Sequence, residues 1–122
     1  MFRFEKFEVW KQSVDFADLI YTLTRGFPRD EQFGLTSQMR RAAVSVSSNI
    51  AEGSSRLSDK EFARFVEIAY ASLMEVVSQV FVAMRQTMVD QSQFDRIYGD
   101  AENIARKLSA LKNTLQGNKG SG

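Results

Sequence analysis

SDKEFARFVEIAYASLMEVVSQVFVAM, residues Ser58 to Met84, repeats its apolar side chains every three or four positions: Phe62, Phe65, Val66, Ala69, Leu73, Val76, Val77, Val80 and Met84. That is the period of one helix face, and the run is far too long for a strand. Its start is written as a capping box. The Ser58 hydroxyl accepts from the Glu61 amide, and the Glu61 carboxylate reaches back to Ser58. The spacing predicts a helix from this cap to about Met88. At ~1.5 Å per residue, some 25 residues span roughly 37 Å, which suits an elongated bundle better than a globin-like ball.

The same period continues on either side. Upstream, Phe7 to Thr24 puts Val9, Phe16, Ile20 and Leu23 on one face, with Trp10, Val14, Ala17 and Tyr21 beside them and Lys11, Asp15, Asp18 and Thr22 on the remaining arc. Gly26 and Pro28 follow as a stop signal. A second helix from Phe33 to Ala51 aligns Leu35, Met39, Ala42, Ala43, Val46 and Ile50, and Gly53 with Ser54-Ser55-Arg56 reads as its end. Its small residues allow a neighbour to approach closely. Downstream, a fourth helix opens at Asp90, with Gln93 three residues on, and runs to Leu115 through Phe94, Ile97, Tyr98, Ala101, Ile104, Ala105, Leu108 and Leu111. Phe2 and Phe4 alternate with charges and read as a short extended segment laid on the bundle. Residues 1–116 form one domain and 117–122 a Gly/Ser-rich flexible tail. Four helices on short connections give an all-α, antiparallel, up-down-up-down four-helix bundle. Pro28 is the single proline of 122 residues, as helices require.

Composition narrows the chemistry. No cysteine excludes disulfides and thiolate sites, and no histidine removes the usual proton carrier and the commonest metal ligand. The di-iron bundle pattern needs Glu-x-x-His twice, so Glu52, Glu67 and Glu75 cannot complete it. No phosphate loop or dinucleotide fingerprint is present. The expectation is no catalysis, no metal and no cofactor. MFRFEKFEVW carries charges throughout and is no secretory signal. No run approaches the ~20 apolar residues of a membrane span, which points to the cytoplasm.

The string GLTSQMRRAAVSVSSNIAEGSSR, Gly34 to Arg56, resembles the signature of the small four helix bundle protein family, first read from intervening sequences inserted in bacterial large-subunit ribosomal RNA genes. FEVWKQSVDFADLIYTLTRGFP and FARFVEIAYASLMEVVSQV are similar to that family's first and third helices, and Ala71-Ser72-Leu73 stands where it usually has Gly-Ser-Leu. The resemblance implies a left-handed four-helix bundle, a homopentamer in related proteins, and no settled activity. A more distant likeness is to the accessory protein of diversity-generating retroelements, a more basic pentamer that works with a reverse transcriptase and nucleic acid.

Three sets of residues are candidates for function. Arg41, Ser45, Ser48, Asn49 and Glu52 form a polar strip on the second helix. It reads as a ligand or partner surface, or as a structural network or subunit interface, with Glu52 and Glu75 the natural partners of Arg40 or Arg41. Arg40, Arg56, Arg64, Arg106, Lys107 and Lys112 form loose basic clusters that an oligomer would repeat before a nucleic acid. The cations late in the fourth helix equally suit the helix dipole. Trp10, Tyr21, Tyr70, Met74 and Phe81 widen the apolar arcs beyond what one bundle core covers, and mark an interface between copies. Self-association, with a pentamer favoured by the resemblance, is the principal partner expectation. Nucleic acid is the alternative.

Overall fold

The computed structural model describes residues 1–117, so the expected tail lies outside the described residues except for Gly117. Four helices follow in order: α1 (Glu8–Thr24), α2 (Leu35–Ser54), α3 (Asp59–Arg85) and α4 (Gln91–Leu115). No strand occurs among the described residues. Each helix packs on its neighbours in sequence, and α4 closes back on α1, so the four make a square. Arg40 at the start of α2 reaches Thr24 at the end of α1, and Lys107 late in α4 reaches Glu8 at the start of α1. Both contacts fix the antiparallel order.

The expected core stripes are the core. Phe16, Ile20, Met39, Val46, Ile50, Phe62, Val66, Leu73, Val76, Val80, Ile97, Ile104 and Leu108 are buried almost completely. Phe65, Val77 and Met84 are only half-buried, because they sit at the edges of the α3 stripe. Two buried hydroxyls are satisfied locally: Ser13 and Thr24 donate to the Val9 and Ile20 carbonyls one turn back, at 2.7 and 2.8 Å.

Five local readings are corrected. The N-terminal segment is a 3-10 turn, Arg3–Lys6, and not extended. Its Arg3 guanidinium lies over Phe62 (5.2 Å) and Phe7 (5.9 Å) and donates to the Ser54 carbonyl, which pins the turn across the end of α2. The α3 cap is half a box: Ser58 Oγ accepts from the Glu61 amide at 3.1 Å, but exposed Glu61 does not reach back. The full box forms at α4, where Asp90 and Gln93 each accept from the other's amide. Gly53 does not stop α2. It lies in the last turn, where a Cβ would stand 2.6 Å from Phe65 Cβ, so it is a point of close approach between α2 and α3. α3 ends at Arg85, short of Met88, in a turn through Thr87. By length and composition α3 does pass for a membrane span, against the expectation from apolar runs; between Ile68 and Met84 its one charge is Glu75.

Candidate interaction surface

The polar strip of α2 divides in two. Ser45 and Asn49 turn into the seam with α3. Ser45 Oγ lies 2.9 Å from Ser72 Oγ, and Asn49 Nδ2 donates to Ser45 Oγ (2.9 Å) and to its carbonyl (2.8 Å). These short side chains tie two closely spaced helices together, which is the structural-network reading of the strip. Arg41, Ser48 and Glu52 face outward. The expected pairing of Arg40 or Arg41 with Glu52 or Glu75 is not made. Glu52 takes Arg56 at 3.3 Å, one turn away on the same exposed edge. Glu75 accepts from Gln79 at 3.1 Å. Arg40 stacks on Tyr21, 4.6 Å from the ring centre, and donates to Thr24 Oγ1 at 2.8 Å. Arg41 has no hydrogen bond or ion pair among the described residues.

The basic residues do not gather on one surface. Arg40 is at the seam of α1 with α2, near the end of α1, while Arg56 and Arg64 are at the opposite end of the bundle. Lys107 turns toward α1 and pairs with Glu8 at 3.0 Å; Lys112 turns toward α3 and pairs with Glu67 at 2.7 Å. Arg106 donates to Asn103, and Arg56 covers Phe65 at 4.6 Å. Three of the six cations thus already have carboxylate partners. Each such exposed pair is worth only ~0–1 kcal/mol, so a phosphate could displace it.

The apolar candidates form the clearest exposed feature. On the α3/α4 face Tyr70, Met74, Phe81 and Tyr98 are between 37% and 51% exposed. Phe81 meets Phe94 edge-on at 4.9 Å and Tyr98 at 6.3 Å, and Phe94 stacks on Tyr98 at 5.6 Å. A groove of about 310 Å³ runs beside them, lined by Tyr70, Met74, Val77, Tyr98, Ala101 and Ala105 with Glu102 and Arg106 at its edge. A second, of about 520 Å³, shares Tyr70 and Met74 and continues past Leu108 to the Glu67–Lys112 pair. Trp10 and Tyr21 lie elsewhere, half-buried on the α1/α2 face. Phe4 packs on Trp10 at 4.8 Å, so the N-terminal turn covers part of that edge.

Tyr98 and Ser72 were not singled out as site residues. Tyr98 repeats at core spacing, but it stands at the edge of the α4 stripe beside buried Ile97 and is 39% exposed. Ser72 gains meaning only opposite Ser45, a pairing set by tertiary register. Neither carries a local signal beyond its position in the period.

The model of the 23S rRNA-intervening sequence protein family matches residues 5–110. No match was found among curated proteins. Among solved structures, a protein of unknown function from the S23 ribosomal protein family of Bacteroides thetaiotaomicron superposes with a TM-score of 0.80 at 23% identity, over 86% of this chain and 95% of that one. That likeness concerns the fold. Nothing in the comparisons extends to the retroelement accessory protein. Because the family model spans nearly all of the bundle, the chain belongs to the 23S rRNA-intervening sequence protein family.

Proposed function

We propose that the protein is a non-enzymatic scaffold that acts by associating with itself in the cytoplasm. The observation that carries this reading is the aromatic and methionine face of α3 and α4. A contiguous exposed apolar surface on a folded domain marks an interaction site. A net charge of +1 sets up no strong repulsion between copies. The pentamer is the assembly that the family resemblance favours; the residues themselves do not set the number. Mass action supplies the test, since an oligomer's melting midpoint rises with protein concentration. A midpoint independent of concentration over a hundredfold range contradicts the reading.

A second reading, contact with nucleic acid, is favoured by one observation: Arg106, Lys107 and Lys112 fall in the last turns of α4, at the end of the bundle that also holds Arg56 and Arg64. Retention of RNA or DNA at near-physiological salt, weakening steeply as salt rises, supports it. Absence of retention at low salt rejects it.

A further inference from the structure

The seam between α1 and α4 is the most sparsely packed of the four. Two hollows open along it, and Arg96 lines both. The first, of about 220 Å³, is polar: Gln12, Asp15 and Asp100 stand in its wall beside buried Phe16 and Ile104. The second, of about 370 Å³, is mainly apolar: Leu19, Leu23 and Ile97 line it, with Thr22, Ser92 and Gln93 also in its wall. We propose that the two hollows meeting at Arg96 bind a free α-amino acid with a large apolar side chain.

Each part of such a ligand has a counterpart here. An ammonium carries three N–H donors and no acceptor, and the polar hollow offers three acceptors short of donors. Asp15 is exposed and makes no hydrogen bond or ion pair among the described residues. Asp100 is held only by Arg96, at 4.0 Å, with the two side chains 50% and 69% exposed; a pair so open to water contributes little. Gln12 Oε1 is buried without a partner, and a buried acceptor gains most when a donor enters. Arg96, one turn before Asp100, carries the opposite charge. Its guanidinium can take the carboxylate of the same α-carbon through two hydrogen bonds. The side chain is then left for the second hollow, against Leu19, Leu23 and Ile97. Together the hollows fall within the roughly 300–1,000 Å³ typical of small-molecule sites, which in bundles lie between helices. Other ligand classes match only part of the set. A simple amine leaves Arg96 unmatched, a fatty acid leaves Asp15 and Asp100 unmatched, and a small polar amino acid leaves the apolar hollow unfilled. The site is separate from the α3/α4 face, so the self-association reading stands or falls on its own test.

Isothermal titration of the whole protein with leucine and phenylalanine tests this. Both are expected to bind with a Kd below about 1 mM. Three analogues separate the parts of the ligand: leucinamide has no carboxylate, N-acetyl-leucine has no ammonium, and alanine lacks the large side chain. Each is expected to bind about tenfold more weakly than leucine, or worse. Arg96→Gln and Asp100→Asn are expected to weaken leucine by a similar factor. Both side chains are exposed, and circular dichroism checks that each variant is folded; the analogue series on the wild type decides the matter if one is not. Absence of leucine and phenylalanine binding at ~1 mM overturns the proposal. So does leucinamide or N-acetyl-leucine binding as tightly as leucine, which would make the seam a plain amine or carboxylate site. Alanine matching leucine, or leucine affinity unchanged in both folded variants, overturns it as well.

Discussion

Thr87 holds φ at 60°, the left-handed region that a β-branched residue seldom enters. It closes α3 as a Schellman motif: its amide donates to the Met84 carbonyl at 3.0 Å, and the Met88 amide donates to the Ala83 carbonyl at 2.9 Å. Glycine is the usual residue there. Left-handed backbone costs ~1–2 kcal/mol in an L-residue, and glycine's extra unfolded freedom returns ~0.5–1. Thr87→Gly is therefore expected to raise stability by about 1 kcal/mol, read from denaturant midpoints. An unchanged or lower midpoint would show that the turn is not strained. Gly53 and Gly99 make a matched pair. Gly53→Ala drives a methyl into Phe65 and Phe62, and overpacking of this kind costs ~1–3 kcal/mol. Gly99→Ala meets nothing within 4 Å and should stabilise α4 by up to ~1 kcal/mol through helix propensity. If both changed stability in the same direction, the close approach at Gly53 would be wrong.

The four elements were largely legible because each carries a long apolar period, and α3 and α4 also a recognisable N-cap. Ends were less so. Gly53 followed by a polar run looks like a stop in sequence, yet the glycine is there because α3 passes against it, a tertiary fact with no local signal. Thr87 offers no stop signal at all, so the period of α3 reads on to Met88. The N-terminal turn was misread because Phe2 and Phe4 alternate like a strand, while Arg3 anchors them through Phe7, Phe62 and the Ser54 carbonyl. On α3, Leu73 is fully buried in the middle of the stripe. Leu73→Ala is expected to cost ~2–5 kcal/mol, the range for truncating a buried leucine. A loss well under 1 kcal/mol by thermal or chemical unfolding would place the core face elsewhere.

For the whole molecule, the candidate site was only partly legible. Period arithmetic picked out Tyr70, Met74 and Phe81 as surplus to one core, and all three are exposed. It could not show that Trp10 and Tyr21 sit on the opposite face, because that depends on how four helices close into a square. Nor could it show that the α2 strip splits, with Ser45 and Asn49 tied to the α3 seam while Arg41 is left outside. Charges spaced along the sequence likewise looked like clusters until the fold sent Lys107 and Lys112 to different neighbours. What the assembled bundle leaves over is an apolar α3/α4 face on a nearly neutral molecule. Light scattering at micromolar concentration tests the use of that face most directly. The account predicts a single species whose mass is a whole multiple of 13.9 kDa, with five copies favoured by the family resemblance. A species of 13.9 kDa at every concentration would contradict it.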